Sequence, residues 1–184
     1  MSRGAQLLGI LALLPLAAQA AGYGHLLVAQ SRIGFVSHQM GVAVPGNFPH
    51  FSAQVRFDPA APQNGMADIR VQTASVDAGG AEANATLADP AWFDVRRWPQ
   101  ATFVSNRLVA LGGNRYQASG TLTIKGRSRP ATVPFTATAV AGGMALDGAL
   151  DISRSAWGIG GGEWADPSVV ADAVQIRFHL VLQP

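Results

Sequence analysis

From about residue 25 onward, apolar and polar residues alternate in short runs separated by turn residues. A period of two confines such a chain to strands with one buried and one wet face. Phe51, Ala53, Val55 and Phe57 alternate with Ser52, Gln54, Arg56 and Asp58, and Asp58-Pro59 with Pro62 to Gly65 close the run. The pattern recurs over Ile69 to Thr73, Tyr116 to Ile124, Val133 to Ala137, Met144 to Ile152 and Val174 to Leu182. With His25–Val36 and Ala101–Leu108 it predicts eight strands, a number that closes into an antiparallel barrel. Gly112-Gly113-Asn114 and Gly142-Gly143 are short enough for hairpins. Two segments break the alternation. Ala-rich Glu82 to Ala88 predicts one short helical excursion over residues 82–95, ahead of turns that bring Trp92, Phe93 and Trp98 against the barrel. Gly158 to Asp166 reads as a loop between the last two strands. The fold class expected is all-β, a single antiparallel barrel over 21–184.

Composition narrows the function. The 184 residues carry 13 Lys+Arg, 11 Asp+Glu and no Cys, and 48 % are hydrophobic. Without Cys there is no disulfide framework, thiolate metal site or thiol nucleophile. So apolar a chain buries enough surface to offset its ordering entropy, which excludes disorder. The pI of 9.7 reflects few titrating groups rather than a basic surface, since the net charge is only +2. Nucleic acid, which needs a dense Lys/Arg stripe, is excluded as a partner.

The first twenty residues have the layout of an export signal. Arg3 precedes the apolar stretch Leu7 to Leu16, and Ala18-Gln19-Ala20 supplies the small-x-small pattern that signal peptidase reads. Cleavage after Ala20 is expected. The stretch falls short of the roughly 20 residues of a membrane-spanning helix, so the mature chain, 21–184, is expected in the periplasm and not across the membrane.

An eight-stranded barrel is either filled by its own side chains or left open for one small ligand. Many inward positions are small: Ala53, Thr73, Ala118, Gly120, Ala137 and Gly148. Periodicity leaves both readings open, an apolar slot or a solid core in which small residues meet large ones.

Catalytic and metal chemistry lack their usual spacings. The four histidines, His25, His38, His50 and His179, form no His-x-His or His-x-x-x-His pair. His179 alternates outward and is expected in solvent. GIGGGEW (Gly158–Trp164) lacks the following helix and Lys-Ser/Thr of a phosphate loop, so its glycines are assigned to backbone freedom. There is no Gly-x-Ser-x-Gly elbow. Asp94, Glu163, Asp166 and Asp172 stand at element ends, where capping and turn bonding are the default roles. Asp151 and Arg154 are expected to pair, and Arg96-Arg97 beside Trp98 are the cations placed to meet an anionic headgroup. No enzyme is expected.

Five segments, in order, carry a resemblance. They are IGFVSHQMGVAVPGNFPHFSAQVRF (Ile33–Phe57), SVDAG (Ser75–Gly79), WFDVRRWPQATFVS (Trp92–Ser105), GTLTIKGRSRP (Gly120–Pro130) and SRSAWGIGGGEWADPSVVADAVQIRFHL (Ser153–Leu180). Together they resemble the YceI-like family of exported lipid-binding proteins across essentially the whole mature chain. Ala43 and Pro45 replace a more usual Gly-rich, serine-containing stretch, and Trp92-Phe93 and Trp98-Pro99 stand where Phe-Phe and Tyr-Pro are commoner. The resemblance implies a lipocalin-like eight-stranded barrel whose interior takes a polyisoprenoid, such as a quinone or polyprenyl lipid, or another long-chain amphiphile. No cofactor beyond that ligand is expected. What some relatives accompany suggests transient contact with a quinone-handling membrane cytochrome, and a homodimer is left open.

On this reading the walls of the slot are Phe35, Phe51, Val55, Phe57, Ile69, Val71, Phe103, Leu122, Ile124, Ile176 and Phe178. Trp92, Phe93, Trp157 and Trp164 form a gate. His38, at a strand end, is placed either to bond a headgroup or to hold a turn carbonyl.

Overall fold

The protein is described by a computed structural model over residues 22–184; the expected signal peptide, 1–20, lies outside the described residues. The first run of the alternation holds two strands rather than one. β1 (His25–Leu26) and β2 (Arg32–Gln39) are separated by a 3-10 turn at Val28–Gln30. Ser31 fixes this break, its Oγ donating to the Leu27 carbonyl at 2.8 Å and accepting the Val181 N–H at 3.0 Å. β3 (Val42–Asn47) is a further strand that pairs with β2 through a two-residue turn. Met40 and Gly41 both have positive φ, 47° and 80°, as a type I′ hairpin requires. Pro45 is tolerated because β3 lies at the sheet edge, where no ladder needs its missing N–H.

The remaining strands follow the alternation. β4 (Phe51–Arg56) and β5 (Met66–Gln72) precede the helical excursion, in which α1 spans Ala81–Ala88. After it come β6 (Gln100–Gly112), β7 (Arg115–Ile124), β8 (Arg127–Val140), β9 (Gly143–Ser153) and β10 (Ala173–Gln183). The described residues therefore hold ten strands where eight were expected, all antiparallel, in the order β3-β2-β10-β9-β8-β7-β6-β5-β4 with β1 against β10.

The sheet curls on itself, but its edges β3 and β4 do not pair. The N-terminal segment bridges the seam at one end. β1 pairs with β10 at Leu182 and Gln183, and Tyr23 exchanges two backbone hydrogen bonds, 2.8 and 2.9 Å, with Phe57 just past β4. At the other end Asn47 and Asp77 exchange a similar pair, tying the β2–β3 hairpin to the chain leading into α1. The long connections, β5 to β6 through α1 and β9 to β10 through residues 154–172, both lie at this second end.

The bridged end is packed solid. Phe57 meets Tyr116 edge-on at 4.9 Å and Phe135 at 5.7 Å, and Tyr116 stacks on Phe135 at 5.5 Å. These spacings are those of favourable aromatic pairs. Leu180, Leu182, Met144 and Ala137 complete the plug. Phe57 and Leu182 are wholly buried.

Candidate ligand-binding cavity

Above the plug the interior is hollow. A cavity of about 500 Å³ runs up the barrel from Phe57 and Phe135 at its floor. β10 alone contributes Val174, Ile176, Phe178 and Leu180 to the wall, and at a rise of about 3.4 Å per residue these alternate positions span about 20 Å. Ile69, Phe103, Leu150, Ile176 and Phe178 point inward yet are only half-buried, because their exposed surface faces the cavity. The two readings of the interior thus hold at different ends, a solid plug below and an apolar slot above.

The small inward residues divide accordingly. Ala118 lines the slot and Ala137 belongs to the plug. Gly148 is covered by the Phe178 ring, whose atoms lie 2.4–2.6 Å from where a Cβ would stand. Gly46 accommodates Phe35 in the same way. Thr73 is buried, its Oγ1 donating to the Trp98 carbonyl at 2.8 Å.

The cap over the slot is built from the two long connections. Trp92 and Trp164 approach at 5.7 Å, and the Gly160 N–H donates to the Ala91 carbonyl at 2.8 Å, joining one connection to the other. Lys125, in the β7–β8 turn, donates from Nζ to the Pro90 and Gly158 carbonyls at 2.7 and 2.8 Å, one on each connection. Burial pulls its pKa below the usual lysine range against the opposing field of Asp94. Gly158, Gly160 and Gly162 take positive φ, so backbone freedom is what the glycine-rich loop requires.

Arg154 organises this cap. Only 3 % exposed, it donates to five backbone carbonyls: Ala171 from Nε, Ile159 and Gly160 from Nη1, and Trp164 and Val170 from Nη2, at 2.6–3.1 Å. A guanidinium carries five N–H donors, so none is left over. The expected pairing with Asp151 is not formed, since Asp151 accepts instead from Gln175 Nε2 at 2.9 Å. The apolar alternation of β9 ends at Ile152, and the 3-10 turn that follows carries Arg154 inward under the loop. Asp172 steadies the same turn by accepting from Ser153 Oγ and, at 2.9 Å, the Ser155 N–H, and these bonds hold its carboxyl below the usual range.

The mouth lies between the β2–β3 hairpin and α1. Gln39, Glu82 and Ala83 are the exposed residues of the lining, with Ser37, Val44 and Thr86 beside them.

Most of the wall residues expected from sequence line the cavity: Phe35, Val55, Phe57, Ile69, Val71, Phe103, Leu122, Ile124, Ile176 and Phe178, with Trp92, Phe93 and Trp164 at the cap. Three stand elsewhere. His38 faces outward because the alternation of β2 turns Ile33, Phe35, Ser37 and Gln39 inward, and only its backbone carbonyl is engaged, by the Ala171 N–H at 2.9 Å. Phe51 packs on the core beside the open edge of β4 without reaching the slot. Trp157 is buried under Arg129, whose guanidinium stands 5.7 Å from its ring.

Arg96 and Arg97 are exposed and off the lining, Arg97 lying over Trp98 at 5.2 Å. His179 pairs with Asp147 at 2.6 Å on the barrel exterior instead of standing free in solvent. Sequence reasoning did not assign Leu146, Leu150, Ile152, Val174 and Leu180 to the wall, although each sits on the inward parity of its strand. Among the described residues no three His, Cys, Asp or Glu side chains converge as a metal site would need.

An antiparallel barrel, plugged at one end and holding an apolar slot above the plug, defines the class of protein. The chain belongs to the YceI-like domain family, whose pattern matches residues 25–182. It is similar to BcnA of Burkholderia cenocepacia, whose crystal structure superposes with a TM-score of 0.83 at 47 % identity, covering 85 % of this chain and 98 % of that one. A UPF0312 protein of Shewanella denitrificans is 33 % identical over 131 residues, 70 % of this chain and 69 % of its own. A polyisoprenoid binding domain from Saccharophagus degradans shares the fold, with a TM-score of 0.67 at 16 % identity over 90 % of this chain and 99 % of that domain. Among the described residues no helix is long and apolar enough to cross a membrane.

Proposed function

We propose that the protein is a periplasmic, non-catalytic binding protein that takes a polyisoprenoid, such as a quinone or polyprenyl lipid, or a similar long-chain amphiphile into its barrel for storage or transfer. The observation that carries this reading is the slot itself, apolar along its length, about 500 Å³ in volume and closed at one end. Such a shape takes a flexible chain tail-first and leaves the polar end at the mouth. Burying roughly 600–700 Å² of apolar tail releases on the order of 15–20 kcal/mol of gross transfer free energy at ~25 cal/mol/Å². Association costs of about 4–15 kcal/mol offset much of this, and the remainder sustains binding without a charged anchor. The polyisoprenoid-binding description of the Saccharophagus neighbour supports the ligand class, and the Arg3, Leu7–Leu16, Ala18-Gln19-Ala20 layout supports export.

Native mass spectrometry of the mature protein, followed by organic extraction and lipid identification, tests the proposal. A stoichiometric isoprenoid adduct lost on extraction is the expected result. A bare polypeptide mass with no uptake of added ubiquinone or polyprenol would refute it.

A further inference from the structure

The cavity lining holds two charged side chains, Arg154 and Glu82, and they are not equivalent. Arg154 lies under the cap with all five donors committed to backbone carbonyls, so its guanidinium has no N–H to offer a ligand. Glu82 stands exposed at the mouth on the face of α1 that also presents Ala83, Thr86 and Leu87 to the slot. Neither the Arg70–Asp68 ion pair nor the His179–Asp147 contact involves it. Its neighbours on the opposite rim, Ser37 and Gln39, are neutral hydrogen-bonding groups. The plug at the far end forces the polar end of a tail-first ligand to this rim.

Resting on the reading of the cavity as a lipid site, we infer that the mouth selects by headgroup charge. It accepts amphiphiles with an uncharged hydroxyl or carbonyl head or with an ammonium, and it disfavours phosphorylated or carboxylate heads. An anionic head at the rim meets the Glu82 carboxylate with no cation on the lining free to bond it, and gives up hydration without a compensating partner. A hydroxyl head finds acceptors and donors in Ser37, Gln39 and Glu82, and an ammonium adds attraction to the carboxylate. The slot would then carry alcohols, quinones and amines, and leave phosphorylated isoprenoids to other proteins.

The test uses three probes with the same tail, farnesol, farnesylamine and farnesyl monophosphate. Each is titrated into the delipidated mature protein at low salt, where exposed charges are least screened, with tryptophan fluorescence or calorimetry as the readout. A solvent-facing charge contributes at most about fivefold, and head desolvation adds to it. The expected result is farnesyl monophosphate at least about threefold weaker than farnesol, with farnesylamine at least as tight as farnesol. Glu82→Gln should narrow the gap between farnesyl monophosphate and farnesol at least about twofold. Phosphate binding within threefold of farnesol overturns the inference, as does a gap that Glu82→Gln fails to narrow. If no probe binds, the lipid-site reading falls first and this inference falls with it.

Discussion

Replacing Arg154 by methionine is the sharpest test of how the cap over the cavity is held. Methionine keeps the unbranched stem as far as the position of Nε and removes every donor. Ala171, Ile159, Gly160, Trp164 and Val170 each lose a hydrogen bond, and none of these oxygens accepts a backbone N–H in the cap. Those that reach water cost little. About two or three left dry, at about 1–3 kcal/mol each, give a destabilisation of about 3–5 kcal/mol after the relief of desolvating the guanidinium is set against it. For a domain of this size that is a fall in Tm of about 6–20 °C. Urea denaturation of the mature protein gives the free energy directly, and a thermal melt gives the Tm. Arg154→Lys separates charge from geometry: an ammonium has three donors and no planar fork, so it should recover less than half of the loss. A methionine variant within about 1 kcal/mol of the parent would show that the five bonds are offset by the cost of burying the charge, and the account of the cap would be wrong.

Other perturbations follow from the same geometry. Leu150→Trp puts a large ring into the slot beside Ile176, its register partner, and should abolish lipid retention in native mass spectra while changing stability by less than about 1.5 kcal/mol, since the ring fills space instead of crowding a packed core. Gly148→Ala brings a Cβ to within 2.4 Å of the Phe178 ring and 2.7 Å of the Pro134 carbonyl, and should cost about 1–3 kcal/mol in urea. The same change in a Phe178→Ala background should cost clearly less, and equal costs would contradict the contact. Asp172 has a folded-state pKa below its ordinary 3.8, chiefly through the Ser153 hydroxyl. Its stabilisation is present above about pH 4 and lost as pH falls through the folded value. Ser153→Ala should therefore flatten the acid limb of the stability curve below pH 4 and leave neutral pH less stable, as acid titrations followed by circular dichroism would show.

The strands were legible in the sequence wherever one face is wet. Val174, Ile176, Phe178, Leu180 and Leu182 alternate with Gln175, Arg177 and His179 because opposite faces of β10 meet different surroundings. The β2–β3 hairpin was not legible. Its turn is Met40-Gly41 rather than Asn-Gly, and VAVPGN carries exposed apolar residues and a proline that only an edge position tolerates. His38 was misplaced for a related reason: a one-residue shift of parity moves a side chain from slot to solvent, and the ladder with β10 decides the parity.

The fold class and most of the wall were legible without coordinates, because burial on one face of a strand imposes apolar residues at every second position whatever the partner strand, and the family was legible in the five motifs that carry the resemblance. It did not determine whether the barrel is hollow. An inward Phe or Ile is needed equally in a packed core and in a cavity wall, so periodicity is blind to what stands opposite. Three-dimensional placement decided that Phe57, Tyr116 and Phe135 close one end while Ile69, Leu150 and Ile176 face open space. The same holds for Arg154. A lone arginine near an aspartate reads as half of an ion pair, and only the return of residues 159–171 over it supplies the five carbonyls it bonds instead. Backbone acceptors leave no mark in the sequence, since every residue has one.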